Sequence, residues 1–197
     1  MYVSKTRRAR GKSSRYQLLQ PLLTINNCQN PQNMTAVIFW GYSKTMNKLF
    51  VISLGGSLIV PDEIDIQFLK NFKRLIESQT KKGRRFILIT GGGRICRKYQ
   101  AALDRISKVD NQTLDWMGIY TTHTNAQFVR LTFGNLSHPE IVGNPTKKMK
   151  VKRSVLLAGG WMPGCSTDKD AVLLAKTYGA KTVINLSNID YLYDKDP

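Results

Sequence analysis

The chain is poor in the residues that build metal centres and disulfide frameworks. It has three cysteines, Cys28, Cys96 and Cys165, none in a CxxC pair, and two histidines, His123 and His138, without ligand spacing. An odd cysteine set with no pairing pattern excludes a zinc ribbon and a disulfide scaffold, and it points to a reducing compartment. No base stands beside Cys165 in the sequence, so nucleophilic catalysis through it or through either histidine has no support. Long apolar runs are also missing: Ala36 to Trp40 covers five residues, against the roughly 20 that a membrane-spanning helix needs. An integral helical membrane protein is excluded on that ground, and the expected location is cytoplasmic.

Acidic residues are the third scarcity, 13 against 30 lysines and arginines, for a net charge of +17. The first 48 residues hold eight basic residues and no acidic one, and the remaining 149 carry +9. An acid-free basic leader suits nucleic acid, an anionic membrane surface or a transit peptide. However, Asn26, Asn27, Gln29, Asn30, Gln32 and Asn33 offer little to bury, which predicts a poorly ordered leader over residues 1–47. Met46 lies just before the first strand and is a candidate start, which would make the leader non-native. Downstream, the basic residues read as spread rather than striped and no nucleic-acid motif occurs, so nucleic acid ranks low among expected partners and a membrane is not one.

Hydrophobic residues make up 42% of the chain, enough for one globular domain with a full core. Leu49 to Leu54 is a continuous LFVISL run of the kind that buries both faces in a parallel sheet. Ile64, Phe68, Phe72, Leu75 and Ile76 follow at helical spacing up to Gly83. Phe86 to Ile89 reads as a second strand, and Ile95, Tyr99, Ala102, Leu103 and Ile106 as a helix after it. Leu114 to Phe133 is compatible with one long helix or two short ones. His138 to Lys152, with Gly143, Pro145 and four lysines, reads as a solvated connection. Strand Ser154 to Ala158, helix Thr167 to Tyr178 and strand Thr182 to Leu186 complete the alternation. Strands alternating with helices predict a three-layer α/β/α sandwich with a mainly parallel sheet.

The chemistry is expected where strands meet glycine. Gly91-Gly92-Gly93 lies between a strand end and a helix start, where unpaired amides and the helix dipole favour an anion and missing β-carbons let it approach. Arg94 and Arg97, in the first turns, could grip phosphate oxygens, although a tight turn with two exposed arginines is the plainer reading. Gly55-Gly56-Ser57 repeats that logic after the first strand. Two such loops suit a phosphoryl transfer enzyme, which holds donor and acceptor in line. Thr167 and Asp170 have the spacing of a capping box, while Asp168, beside a Gly-Pro loop, could orient a lysine or a hydrated Mg²⁺. Asp115 could accept from ribose hydroxyls, and Ser187-Asn188 with Tyr193 and Asp196 could meet a nucleoside. Each of these also reads as a solvated helix residue or an ordinary turn.

In order, these loops resemble the amino acid kinase superfamily, most closely its archaeal-like uridylate kinases. The matching blocks are VISLGGSLIVP (51–61), ITGGGRICRKY (89–99), LDWMGIYTTHTNA (114–126), GGWMPGCSTDKDAVLLA (159–175) and LSNIDYLYDKDP (186–197). Together they cover a domain over residues 48–197. The resemblance implies transfer of the ATP γ-phosphate to UMP with Mg²⁺, and a homo-oligomer, often a hexamer. It implies that Asp168 and Arg97 are catalytic, and that Gly92, Asp115, Trp161, Met162, Pro163, Gly164, Cys165, Ser166 and Thr167 hold UMP. Ser53, Leu54, Gly55, Gly56, Ser57, Gly93, Arg97, Ser187, Asn188, Tyr193 and Asp196 match positions around ATP. No residue is assigned as a metal ligand. Four departures from the family pattern stand out. Ser53 replaces a lysine common in the superfamily, Trp161 and Met162 replace the usual acceptor-loop residues, and Tyr191 replaces a glycine. Family members also continue beyond Pro197, so the domain reads as lacking its C-terminal part.

Overall fold

The computed structural model describes residues 48–188 and the backbone of residues 35–40. Its elements in chain order are β1 (Thr35–Trp40), β2 (Leu49–Leu54), α1 (Gly56–Ile59), α2 (Ile66–Lys81), β3 (Arg85–Thr90), α3 (Gly93–Ser107), α4 (Asn111–Phe133), β4 (Ser137–Val142), β5 (Val155–Ala158), α5 (Thr167–Tyr178) and β6 (Thr182–Ser187). One six-stranded sheet runs in the order β1-β6-β2-β3-β5-β4. Its five strands from β2 to β6 are parallel, and β1 pairs antiparallel with β6 from Thr35↔Ser187 to Trp40↔Thr182.

Alternation along the buried strands divides the core into two layers. Ile52, Leu54, Phe86, Leu88, Val155, Leu157, Ile184 and Leu186 face one side, where Leu58, Phe72, Ile76, Val129 and Phe133 of α1, α2 and α4 cover them. Val51, Ile87, Ile89, Leu156 and Ala158 face the other, under Ala171, Leu174 and Ala175 of α5. Helices on both faces of a largely parallel sheet make the expected three-layer α/β/α sandwich. All five parallel strands present their carboxyl ends to one edge, where the glycine turns lie.

Two elements differ from the sequence reading, and two others settle what it left open. The Leu114 to Phe133 region is one helix, α4, of 23 residues, capped by Asp110, whose side chain accepts from Thr113 N. The supposed solvated connection contains β4, hidden in sequence by Pro139 and Glu140. It lies at the sheet edge, where a missing N–H is tolerated, and its register shifts between Ser137 and Ile141. Thr35–Trp40, within the stretch expected to be a poorly ordered leader and upstream of Met46, is strand β1. Its TAVIFW sequence is rich in the branched and aromatic residues that favour strands. Finally, the apolar stripe of α3 is not core: no residue of this helix is buried, and Ile106 is 81% exposed.

Phe72 is 4% exposed, stacks on Phe68 and meets Phe133 edge-on. Phe72→Ala is expected to cost about 3–5 kcal/mol, whereas Ile106→Ala should stay within about 0.5 kcal/mol. Urea denaturation checks both, and equal losses would show that the α3 stripe is packed in the folded species.

Candidate active site

The two glycine turns lie back to back. Gly55 N donates to Leu186 O at 2.8 Å and Gly91 N donates to Leu54 O at 2.9 Å, tying the ends of β6, β2 and β3 together. A β-carbon on Gly56 would lie 2.1 Å from Gly93 N and 2.6 Å from Gly91 C; one on Gly93 would lie 2.5 Å from Gly56 O. Gly93 also has φ +71°. Only glycine fits either place. The Gly55 amide is therefore committed to the sheet and the Leu54 side chain to the core. The start of α3 differs, because Gly92 provides no side-chain cap. Its first amides thus lie without a side-chain cap at the positive end of a helix of 15 residues, an arrangement suited to an anion. Of the two arginines, Arg94 is bound to Asp62 at 2.6 Å. Arg97 is exposed and has no ion pair among the described residues.

The start of α5 joins the first glycine turn. Ser53, 4% exposed at the end of β2, donates from Oγ to Asp168 Oδ1 at 2.7 Å, and Ser57 Oγ donates to Asn188 Oδ1 at 2.6 Å. The capping-box reading of Thr167 and Asp170 is not what forms. Ser166 is the N-cap and accepts from Lys169 N, while the Asp170 carboxylate turns inward to accept from Trp161 N at 3.0 Å. That shift of one residue leaves Asp168 exposed in the first turn and facing Ser53.

The loop from Gly159 to Ser166 is fixed from three sides. Gly160 N donates to Thr122 Oγ1 at 2.7 Å. Gly160 O lies 2.9 Å from His123 Nε2, which must carry the proton because a carbonyl only accepts. The His123 ring lies where a β-carbon on Gly159 would be, 2.6 Å from its Cδ2. Further on, Cys165 N donates to Met162 O at 3.1 Å across Pro163-Gly164, with Gly164 at φ +76°, as in a type II turn. Gly164 N then donates to Asp115 Oδ2 at 2.9 Å. Trp161, Pro163, Cys165 and Thr167 are half-buried, whereas Met162, Ser166 and Asp115 are exposed.

The fold thus gathers Ser53, Ser57, Gly92, Gly93, Asp115, Asp168, Ser187 and Asn188 at one sheet edge. Tyr193 and Asp196 lie outside the described residues. Sequence reasoning gave no role to Thr122, His123 or Asn125, whose Nδ2 donates to Gly91 O and Gly92 O at 2.8 and 3.2 Å. The available signal was a run of polar residues, Thr121 to Asn125, in a helix whose neighbours Ile119, Ala126 and Val129 are core. Among the described residues no group of three His, Cys, Asp or Glu could hold a metal, and no helix is long and apolar enough to cross a membrane.

Two groups here are electrostatically perturbed. Burial pushes the Cys96 thiol up against the pull of Arg97. Burial also raises Asp170, partly offset by the Trp161 amide and by Lys169, and its Oδ1 is buried without a hydrogen-bond partner. With the folded pKa above the unfolded one, this group's contribution to stability is complete below the unfolded value of about 3.9 and is lost as pH rises through the folded value. Asp170→Asn keeps an oxygen for Trp161 N and cannot ionise, so it should lose less stability than the parent above that pH. Denaturant midpoints measured against pH check this, and parallel curves would mean that Asp170 ionises without penalty.

Comparison with known proteins fits this geometry. The amino acid kinase family model matches residues 48–197. The uridylate kinase of Thermoplasma acidophilum is 39% identical over 154 residues, 77% of this chain and 66% of that protein. That of Thermococcus onnurineus is 33% identical over 150 residues, 75% and 65%. The chain therefore spans about two thirds of the length of the curated relatives it matches. Among solved structures, the uridylate kinase of Archaeoglobus fulgidus superposes with a TM-score of 0.61 at 26% identity, covering 75% of this chain and 67% of that one. The family match over the whole of 48–197 means that the chain belongs to the amino acid kinase family.

Proposed function

We propose that this chain acts as a uridylate kinase, passing the ATP γ-phosphate to UMP to give ADP and UDP, in the cytoplasm and in the service of pyrimidine nucleotide synthesis. The observation that carries the reading is the Ser53 to Asp168 hydrogen bond, which joins the first glycine turn to the start of α5 at the point where the second glycine turn and the Gly159 to Ser166 loop converge. The names of the relatives support the choice of acceptor.

In this reading the first amides of α3, with Gly92 and Gly93, hold phosphate oxygens, and Arg97 neutralises charge as the phosphoryl group moves. Asp168 holds the Ser53 hydroxyl in place and orders the donor side with Ser57, Ser187 and Asn188. Asp115 fixes the Pro163-Gly164 turn and presents its second oxygen to the ribose of UMP. The acceptor phosphate is already ionised, so no general base is required. A Mg²⁺ bound with ATP would have Asp168 as the nearby carboxylate. When bound, Mg²⁺ would supply charge neutralisation on the transferred group. Assembly as a homo-oligomer, a hexamer in the expected form, belongs to the same reading.

A second reading is a catalytically silent nucleotide-binding domain that takes UMP without turnover. Incubation of the full chain with ATP, Mg²⁺ and a panel of phosphate acceptors, followed by ³¹P NMR, separates the two. UDP formation is expected. Asp168→Asn should lower kcat about 10²–10³-fold, the scale of losing one transition-state electrostatic contact, and Asp115→Ala should mainly raise KM for UMP. UMP binding without UDP would select the second reading, and transfer to another acceptor would reject uridylate as the substrate.

A further inference from the structure

The fold brings several cations that are distant in sequence to the amino end of the parallel strands. Lys48 immediately precedes β2, Arg85 opens β3 and Arg153 lies just before β5. Arg85 N donates to Lys48 O at 2.6 Å and Phe86 N to Ser154 O at 2.8 Å, so these strand starts lie side by side. Asp115, Asp168 and Asp170 lie at the opposite, carboxyl end.

At this end of the sheet is a cavity of about 210 Å³ whose lining includes Arg85, Lys148, Lys150, Arg153, Leu156 and Tyr178, and no carboxylate. The ion pairs among the described residues are Lys73–Glu77 and Arg94–Asp62, so none of these four cations is neutralised by one. The wall is constructed rather than incidental. Arg85 Nη2 donates to Val151 O at 3.2 Å, and Met149 N donates to the Tyr178 hydroxyl at 3.2 Å. Lys148 Nζ lies 6.0 Å from the centre of the Tyr178 ring. The carboxyl end of α5 brings partial negative charge to this wall, which four full cations outweigh. Like charges held around one concavity repel each other and lower the free energy of any anion that enters. Leucine and an aromatic ring within the same walls suit an apolar body attached to that anion.

We propose that this cavity is a second anion site, for a small phosphate-bearing molecule with an apolar or aromatic body. It lies about 20 Å from the glycine turns, the length of a six-residue strand, and stands independently of the kinase reading. A small ligand is favoured over a nucleic acid because the cations surround a concavity and do not follow a continuous groove.

Phenyl phosphate is the probe, with inorganic phosphate for comparison, titrated into the ¹⁵N-labelled full chain and followed by amide chemical shifts. Saturable shifts are expected at Arg85 and across residues 148–154, with phenyl phosphate binding more tightly than inorganic phosphate. The double variant Lys148→Glu, Lys150→Glu should weaken this binding by at least about tenfold, while any shifts at Gly91 to Gly93 persist and certify the fold. Shifts confined to the glycine turns, no shifts at all, or unchanged binding in the double variant would overturn the proposal. So would a single-stranded RNA oligomer that moves this edge while phenyl phosphate does not.

Discussion

The contact between the two glycine turns is the constraint from which the rest of this site follows. With no β-carbon on Gly56 or Gly93, the chain leaving β2 and the chain leaving β3 pass at backbone distance. A single methyl group there would force two strand ends apart and carry the starts of α1 and α3 with them. Because neighbouring parallel strands are locked in register, such a displacement could not be absorbed within the sheet. The positions of Ser53 and Ser57 and of the α3 amides are thus consequences of one steric fact.

The opposite wall is positioned by a different kind of interaction. One backbone bond, from Gly159 N to Val142 O at 3.1 Å, ties the start of the Gly159 to Ser166 loop to the sheet, and past it the hold passes to side chains. Side chains of α4 and α5 grip its amides and one carbonyl: Thr122 and His123 at Gly160, Asp170 at Trp161, Asp115 at Gly164. Side-chain hydrogen bonds tolerate small adjustments that a glycine contact does not. One wall of the cleft is therefore stiff and the other compliant, a division that suits an enzyme holding phosphates rigidly on one side and fitting a variable group on the other. Asp170 shows the cost of that compliance, since it carries an unpartnered buried oxygen in order to anchor Trp161.

Much of the architecture was legible in sequence because most of its strands are nearly continuous apolar runs and α2, α4 and α5 begin at polar caps. LFVISL, RFILIT and VLLA stand out from their surroundings, and the limits of α5 follow from Ser166 before it and Gly179 after it. What stayed hidden was hidden for physical reasons. Pro139 and Glu140 disguise an edge strand, and the buried polar residues of α4 blur its period because they serve the loops and not the core. The capping residue of α5 was misjudged by one position, since Ser166 and Thr167 are both competent caps. The cation-lined cavity could not be read at all, because it forms only where the fold brings Arg85 to residues 148–153.

The edge strand has one further consequence. Among the described residues β4 forms one margin of the sheet, paired only with β5, and carries Pro139, exposed Glu140 and a register shift within six residues. A proline offers no donor, a carboxylate resists burial, and an irregular spacing of amides cannot template a regular partner. Growth of this sheet, whether by a further segment or by faulty association of two copies, is thereby turned away from β4 and toward the β1 side.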